Sequence, residues 1–185
     1  MYMNLLIFFG FLVAGSTAKS CIASQGPQAI KCLETFKNVA EAAGNYNLTD
    51  PDSTKPTNEV CGKFKRCAPI FACETEPKVT HAVNITILFC DAVGYFTNEF
   101  LPCQVKLDSR TTECTRAWDP FPKEIEDKKK MAEIRKEACK NYFGKDNCMR
   151  EEIIQVCGKE SWAGFRKAHL SLNTIIGACD HIDVE

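Results

Sequence analysis

Histidine is scarce, with three residues (His81, His169 and His181) in a chain of 185. None stands at ligand spacing from a partner, so neither a metal cage nor an oriented general base is written in the chain. No G-x-S-x-G, H-E-x-x-H, G-x-G-x-x-G or P-loop sequence occurs, and C-x-x-C is absent. Those absences remove the local signatures of serine hydrolases, zinc peptidases, nucleotide binders and thioredoxin-type redox sites. His181, in Cys179-Asp180-His181-Ile182-Asp183, has an aspartate on either side, but a secreted phospholipase would need adjacent cysteines ahead of a His-Asp pair and a glycine-rich calcium loop, and neither is present. Glu151 and Glu152 are consecutive, so on a helix they diverge and form no carboxylate dyad. The expectation is a protein that is not an enzyme and needs no metal or cofactor.

Charge of one sign is lacking too. Lys plus Arg number 23 against 24 Asp plus Glu, a formal net charge of −1, which gives no field to gather nucleic acid or an anionic membrane. Long apolar runs are absent after Lys19: the most apolar later stretch, Ala82 to Leu101, is interrupted by Asn84, Asp91, Asn98 and Glu99. No membrane span is expected.

Cysteine, by contrast, is abundant: Cys21, Cys32, Cys61, Cys67, Cys73, Cys90, Cys103, Cys114, Cys139, Cys148, Cys157 and Cys179. The compartment follows from what precedes them. An apolar run from Leu5 to Val13 leads into Ala14, Gly15, Ser16, Thr17 and Ala18, too short for about 30 Å of hydrocarbon and ending in small residues suited to signal cleavage. Residues 1–18 are read as a cleaved signal peptide, with cuts after Ser16 or Ser20 also compatible, and 19–185 as a single disulfide-rich domain. A membrane anchor would have to continue through Lys19. All twelve cysteines enter the oxidising side, where an even count implies about six disulfides rather than free thiols or metal ligands. Two sequons, Asn47-Leu48-Thr49 and Asn84-Ile85-Thr86, make Asn47 and Asn84 glycosylation candidates in a secreted, extracellular protein.

Helical spacing dominates the mature chain. Ala29, Cys32, Leu33, Phe36, Val39, Ala40 and Ala43 recur at three- and four-residue steps between Pro27 and Gly44, which predicts a helix with both its signals in place. Asn45 to Pro56 reads as a surface loop. Val60, Cys61, Phe64, Cys67, Ala68 and Phe71 predict a second helix that Pro69 kinks or ends. Val79 to Leu101 is too long for a strand and is taken as a third. Pro102 to Pro122 reads as a turn-rich connection. A helix is then expected from Lys123 to Phe143, with Glu124 opposite Lys128 and Glu126 opposite Lys130 on a solvated face. The interleaved acids make Lys128-Lys129-Lys130 part of that face rather than a polybasic patch. Gly144 ends it, Asp146 is placed to cap the next, Gly158 ends that one, and Ser161 is placed to cap a last helix with Trp162, Phe165, His169, Leu172 and Ile176 along one stripe. His169 is expected as a core residue.

The fold class is therefore all-α, a compact array of short helices cross-linked by about six disulfides. Cysteines six or nine apart on one straight helix lie about 9–14 Å apart, beyond disulfide reach, which disfavours Cys61–Cys67, Cys67–Cys73 and Cys148–Cys157. Cys103–Cys114 and Cys139–Cys148 are permitted, and connectivity is otherwise open.

Several segments together carry a resemblance. Trp118-Asp119-Pro120-Phe121-Pro122, Cys139-Lys140-Asn141-Tyr142-Phe143-Gly144-Lys145-Asp146-Asn147-Cys148-Met149, Cys157-Gly158-Lys159-Glu160-Ser161-Trp162, Phe165 and Cys179-Asp180 are similar to the large nematode family of secreted cysteine-rich proteins catalogued as domain of unknown function number nineteen. The likeness runs from Cys21 to Cys179 and is most specific after Cys103. It implies a signal peptide, an extracellular disulfide-bonded domain and no established activity, so no catalytic residues carry over. It also implies an association with responses to pathogens or stress. Two functions remain open: a non-enzymatic interaction module for an extracellular protein partner, or a carrier of small apolar ligands enclosed by residues such as Phe36, Phe64, Phe71, Phe89, Phe96 and Phe100. An internal apolar cavity would favour the carrier, and a filled core with an exposed patch the module.

Overall fold

A computed structural model describes residues 21–46 and 51–182. Residues 1–18, read above as a signal peptide, and the sequon at Asn47 lie outside them, as does the side chain of Cys21. Among the described residues the regular structure is entirely helical, so the all-α expectation holds. The chain divides into two compact units that meet between Thr97 and Asn98.

In the first unit, helix α1 spans Cys21–Gly44 and α2 spans Pro51–Cys67, continued by a 3-10 turn over Ala68–Phe71, while α3 spans Pro77–Gly94. Gly26, at φ 53°, breaks the line of α1 one residue before Pro27. Proline disfavours the helical conformation in the residue before it and glycine tolerates positive φ, so the straight helix begins where the spacing placed it. One expectation fails: residues 51–56 are helical rather than loop. Proline is compatible with a first turn because its missing N–H has no intrahelical partner there, and Pro56 lies only just past that turn. Pro69 does end the second helix, tightening it into the 3-10 turn. The α2 helix lies against both α1 and α3, and the shared core is Ala29, Val39, Ala43, Phe64, Phe71, Phe89 and Val93. Two bridges fasten it, Cys32–Cys67 and Cys61–Cys90, with Cα atoms 5.7 and 5.1 Å apart. Cys73 is also disulfide-bonded.

A π-helical turn, Tyr95–Glu99, follows α3. Together they make Pro77–Glu99, 23 residues that contain an 18-residue window of mean hydropathy 1.3, long and apolar enough to cross a membrane by length and composition. The polar residues that interrupt it in sequence do not lower its average enough to remove it from that class. Val79, Phe89, Cys90, Ala92, Val93 and Phe96 are buried, and Cys90 is bridged to α2.

In the second unit, α4 spans Leu101–Asp108, α5 Glu113–Ala117, α6 Lys128–Lys140, α7 Cys148–Cys157 and α8 Lys159–Ile176. The turn-rich connection expected over 102–122 thus holds two short helices. Pro102 sits in the first turn of α4, where proline starts a helix instead of stopping it. Thr112 caps α5 through Thr115 N at 3.2 Å. The next helix begins at Lys128 rather than Lys123 because Asp127 Oδ1 accepts from the Lys129 and Lys130 amides, each at 3.0 Å, a stronger start than continuing back through residues 123–126. The i, i+4 pairs expected there do not form, and Glu124 pairs instead with Arg135.

Two other caps also differ from expectation. Asn147, in the left-handed conformation, precedes α7 in place of Asp146, which is itself left-handed at φ 56°. Gly158 precedes α8, and Ser161 lies inside its first turn with its hydroxyl donating to Cys157 O at 3.1 Å.

The α7 helix is the spine of this unit. It touches α4, α5 and α8, and both its ends are cysteines: Cys157 joins Cys103 of α4 and Cys148 joins Cys114 of α5. Cys139 of α6 joins Cys179, which follows α8. The permitted Cys103–Cys114 and Cys139–Cys148 pairs are not formed: Cys103 and Cys114 each join one end of α7, which takes Cys148, and Cys139 joins Cys179 instead. The three disfavoured pairings are also absent. Five bridges are thus defined among the described residues, and none of their cysteines is free.

Candidate functional site

Aromatic rings fill the interior of the second unit, and at their centre stands His169, 1% exposed. Phe165 and Trp118 lie 4.3 and 5.1 Å from the imidazole, Phe121 stacks nearly parallel at 6.1 Å, and Tyr142 and Phe143 complete the ring at 6.2 and 6.5 Å. Desolvation lowers the imidazole pKa from 6.5 to about 3, because a charged ring would have to leave water for this apolar shell. His169 is therefore the core residue its place on the stripe implied. Tyr142 Oη donates to His169 O at 2.7 Å, and Trp118 Nε1 donates to Tyr142 O at 3.0 Å. Burial raises the pKa of the Tyr142 phenol. Asn173 closes the end of the chain over this core, donating from Nδ2 to Cys179 O and accepting from Cys179 N, both at 2.9 Å.

The other two histidines, His81 and His181, are exposed. Among the described residues no group of three or more His, Cys, Asp or Glu is placed to hold a metal ion.

Over this core the surface is indented. A cleft of about 620 Å³ lies between α5, α6 and the start of α7. Its apolar lining comes from Ala117, Trp118, Pro122, Ile134 and Ala138, with the Cys114–Cys148 bridge alongside. The bridge is positioned by Gly144. At φ 83° its backbone is in a region that favours glycine, and a Cβ there would lie 2.5 Å from Cys148 Sγ and 3.3 Å from Cys114 Sγ.

Four carboxylates, Glu113, Asp119, Glu137 and Asp146, border the cleft against one cation, Lys145, and all five side chains are exposed. Glu137 Oε1 accepts from Asn141 Nδ2 at 2.6 Å. Among the described residues, Glu113, Asp119 and Asp146 take part in no ion pair. The site is chemically an apolar trough with an excess of negative charge along its edge.

A second cleft, about 410 Å³, belongs to the first unit and is lined by Ala68, Pro69, Phe71, Val83, Ile87 and the sequon residue Asn84. Asn84 is exposed on α3, whereas Thr86 of the same sequon is buried and donates to Ala82 O at 2.8 Å. Elsewhere on α3, Phe89 meets Tyr46 edge-on at 5.6 Å, and burial pushes the Tyr46 phenol up to about 12.

Of the residues singled out in sequence, the ten cysteines of the defined bridges form the frame, Asn84 lies at a cleft, and the Trp118-to-Pro122 element supplies part of the larger cleft's wall. The bordering carboxylates were not visible as a group, because residues 113, 119, 137 and 146 share no period and meet only through folding.

The chain is similar to several proteins of Caenorhabditis elegans. UPF0376 protein F10G2.1 of Caenorhabditis elegans is 33% identical, with 98% of each chain covered. The protein named excretory canal abnormal exc-13, from the same organism, is 35% identical over 92% of this chain and 88% of its own. UPF0376 protein C36C5.12, also from C. elegans, is 30% identical over 91% and 80%. No solved structure matches. The pattern of the family described as Domain of unknown function (DUF19) matches residues 21–180, the whole span that carries the bridges and both clefts, and the chain belongs to that family.

Proposed function

We propose that the protein is a secreted, non-enzymatic binding protein whose larger cleft holds a cationic segment of an extracellular partner. The observation that carries the reading is the 620 Å³ cleft itself: an apolar trough beside Trp118 with four carboxylates and one lysine at its edge. A lysine or arginine seats its aliphatic stem on such a trough and its charge at the rim, and an indole face adds cation–π attraction. Secretion is supported by the apolar run Leu5–Val13 with its small-residue exit and by the dense disulfide frame. On this reading Pro77–Glu99 is a soluble core helix whose apolarity serves the bridged core.

What favours binding at a surface over carriage of small apolar ligands is the filling of the second unit by rings packed around His169, with the two clefts described above both open to the surface. Native mass spectrometry of the purified protein is accordingly expected to show no stoichiometric lipid.

The test of the cleft uses a capped Lys-Leu-Lys-Leu-Lys peptide and its Glu-for-Lys counterpart, read by Trp118 fluorescence in a Trp162→Phe background. The cationic peptide should give a saturable change that weakens as salt rises, and the anionic one none. An unchanged response after Glu113→Gln, Asp119→Asn and Asp146→Asn together would refute the assignment.

A further inference from the structure

We propose that Asn84 carries an N-linked glycan whose first sugars lie in the 410 Å³ cleft of the first unit and cover its apolar floor; this rests on the reading that the protein is secreted. The placement starts from the helix period. Thr80, Val83, Asn84 and Ile87 of α3 fall at i, i+3, i+4 and i+7, one stripe of a helix, and all four line the cleft. Opposite them are Pro69 and Phe71 from the 3-10 turn. Val83 and Ile87 are left half-exposed and Pro69 exposed, a grouped apolar surface of the kind that marks a contact site.

The amide of Asn84 is both the acceptor of the sequon and part of that surface, so whatever is attached there begins inside the cleft. A volume of about 410 Å³ falls within the range of pockets that hold small organic ligands, roughly 300–1,000 Å³. N-acetylglucosamine has the matching chemistry, with C–H faces and an acetamido methyl for the apolar floor and hydroxyls for solvent.

The fold also sets when the sugar is added. Thr86 is buried and bonded to Ala82 O in the α3 helix, so the sequon is not presentable once α3 has packed. Transfer must precede folding of this unit. It forms a bond between Asn84 Nδ2 and the anomeric carbon of the first sugar, breaks that carbon's bond to the diphosphate of a lipid-linked donor, and passes the amide proton to the departing diphosphate. Because the Asn84 side chain is exposed, the modified chain can then form α3 unchanged.

The full chain is expressed in a eukaryotic secretory cell, and protein from the medium is mapped by peptide mass after enzymatic release of N-glycans in heavy-oxygen water. Asn84 should be labelled. The glycosylated protein and Asn84→Gln are then compared with an anilinonaphthalene sulfonate probe. The variant should bind more dye, by about twofold, as its cleft is uncovered, and Ile87→Gln added to it should remove the increment. Protein retained in the cell refutes the secretion reading and this inference with it. Protein in the medium with Asn84 unmodified refutes the inference alone, as does equal dye binding by the glycosylated protein and Asn84→Gln, since the sugar would then stand away from the cleft.

Discussion

Single residues carry two of the clearest consequences of this fold. His169 has a folded pKa of about 3 against an ordinary value of 6.5. Between those limits the unfolded chain binds a proton that the folded protein refuses, so stability is greatest above pH 6.5 and falls as pH drops through the window, by up to about 1.4 kcal/mol per pH unit. Urea melts at pH 7.5 and 4.5 should therefore show a smaller acid loss for His169→Leu than for the natural protein, and equal losses would sink the argument. Gly144 and Gly177 form a second comparison. Both have positive φ, but a Cβ at Gly177 meets nothing within 4 Å while one at Gly144 runs into two sulfurs. Gly177→Ala should cost about 1–2 kcal/mol for backbone conformation, and Gly144→Ala a further 1–3 or so for overpacking, measured by denaturant titration. The expected stop at Gly144 was misplaced, since α6 already ends at Lys140 with Asn141 as its cap; the contact of Gly144 with the Cys114–Cys148 bridge was not legible either, because it depends on which cysteines pair. Caps were the least legible feature. Several short polar residues precede each helix, and the choice of Asp127 over earlier positions, or of Asn147 over Asp146, is made by local backbone geometry that residue type alone does not specify.

At the level of elements, long helices announced themselves and short ones did not. The α1 and α3 helices run for 24 and 18 residues, enough turns for the period to show. The α4 and α5 helices have eight and five, less than the window over which a 3.6-residue period can be recognised. Each would be marginal in isolation, and each is tied to α7 by a cysteine. Replacing either pair, Cys103 with Cys157 or Cys114 with Cys148, by serines should cost about 2–4 kcal/mol. The closed spans are 54 and 34 residues, so chain entropy makes the longer bridge worth only about 0.4 kcal/mol more. Chemical denaturation of the two double variants is expected to give nearly equal losses, and a gap of several kcal/mol would show that packing around one bridge, rather than chain closure, dominates.

For the molecule as a whole, the pairing obeys a boundary that sequence did not mark. The five defined bridges each close on one side of Thr97–Asn98, although the cysteines are spread from Cys21 to Cys179 with no gap to suggest it. A non-reducing peptide map of the folded protein should yield those five pairs, with no linkage among their ten cysteines that joins a residue before 97 to one after 98, and iodoacetamide should leave the ten unlabelled until reductant is added. The order of the bridges in the second unit matters in another way, under tension. Cys103–Cys157 and Cys139–Cys179 overlap along the chain, so a pull applied at Cys103 and Cys179 crosses one sulfur bond, runs back through the 18 residues from 157 to 139, and crosses the other. The stretch between those two points can pay out only about 60 Å of slack even when every helix in it has unravelled, against roughly 270 Å for the same segment unbridged. Built this way, the segment behaves mechanically as a short tether rather than a spool.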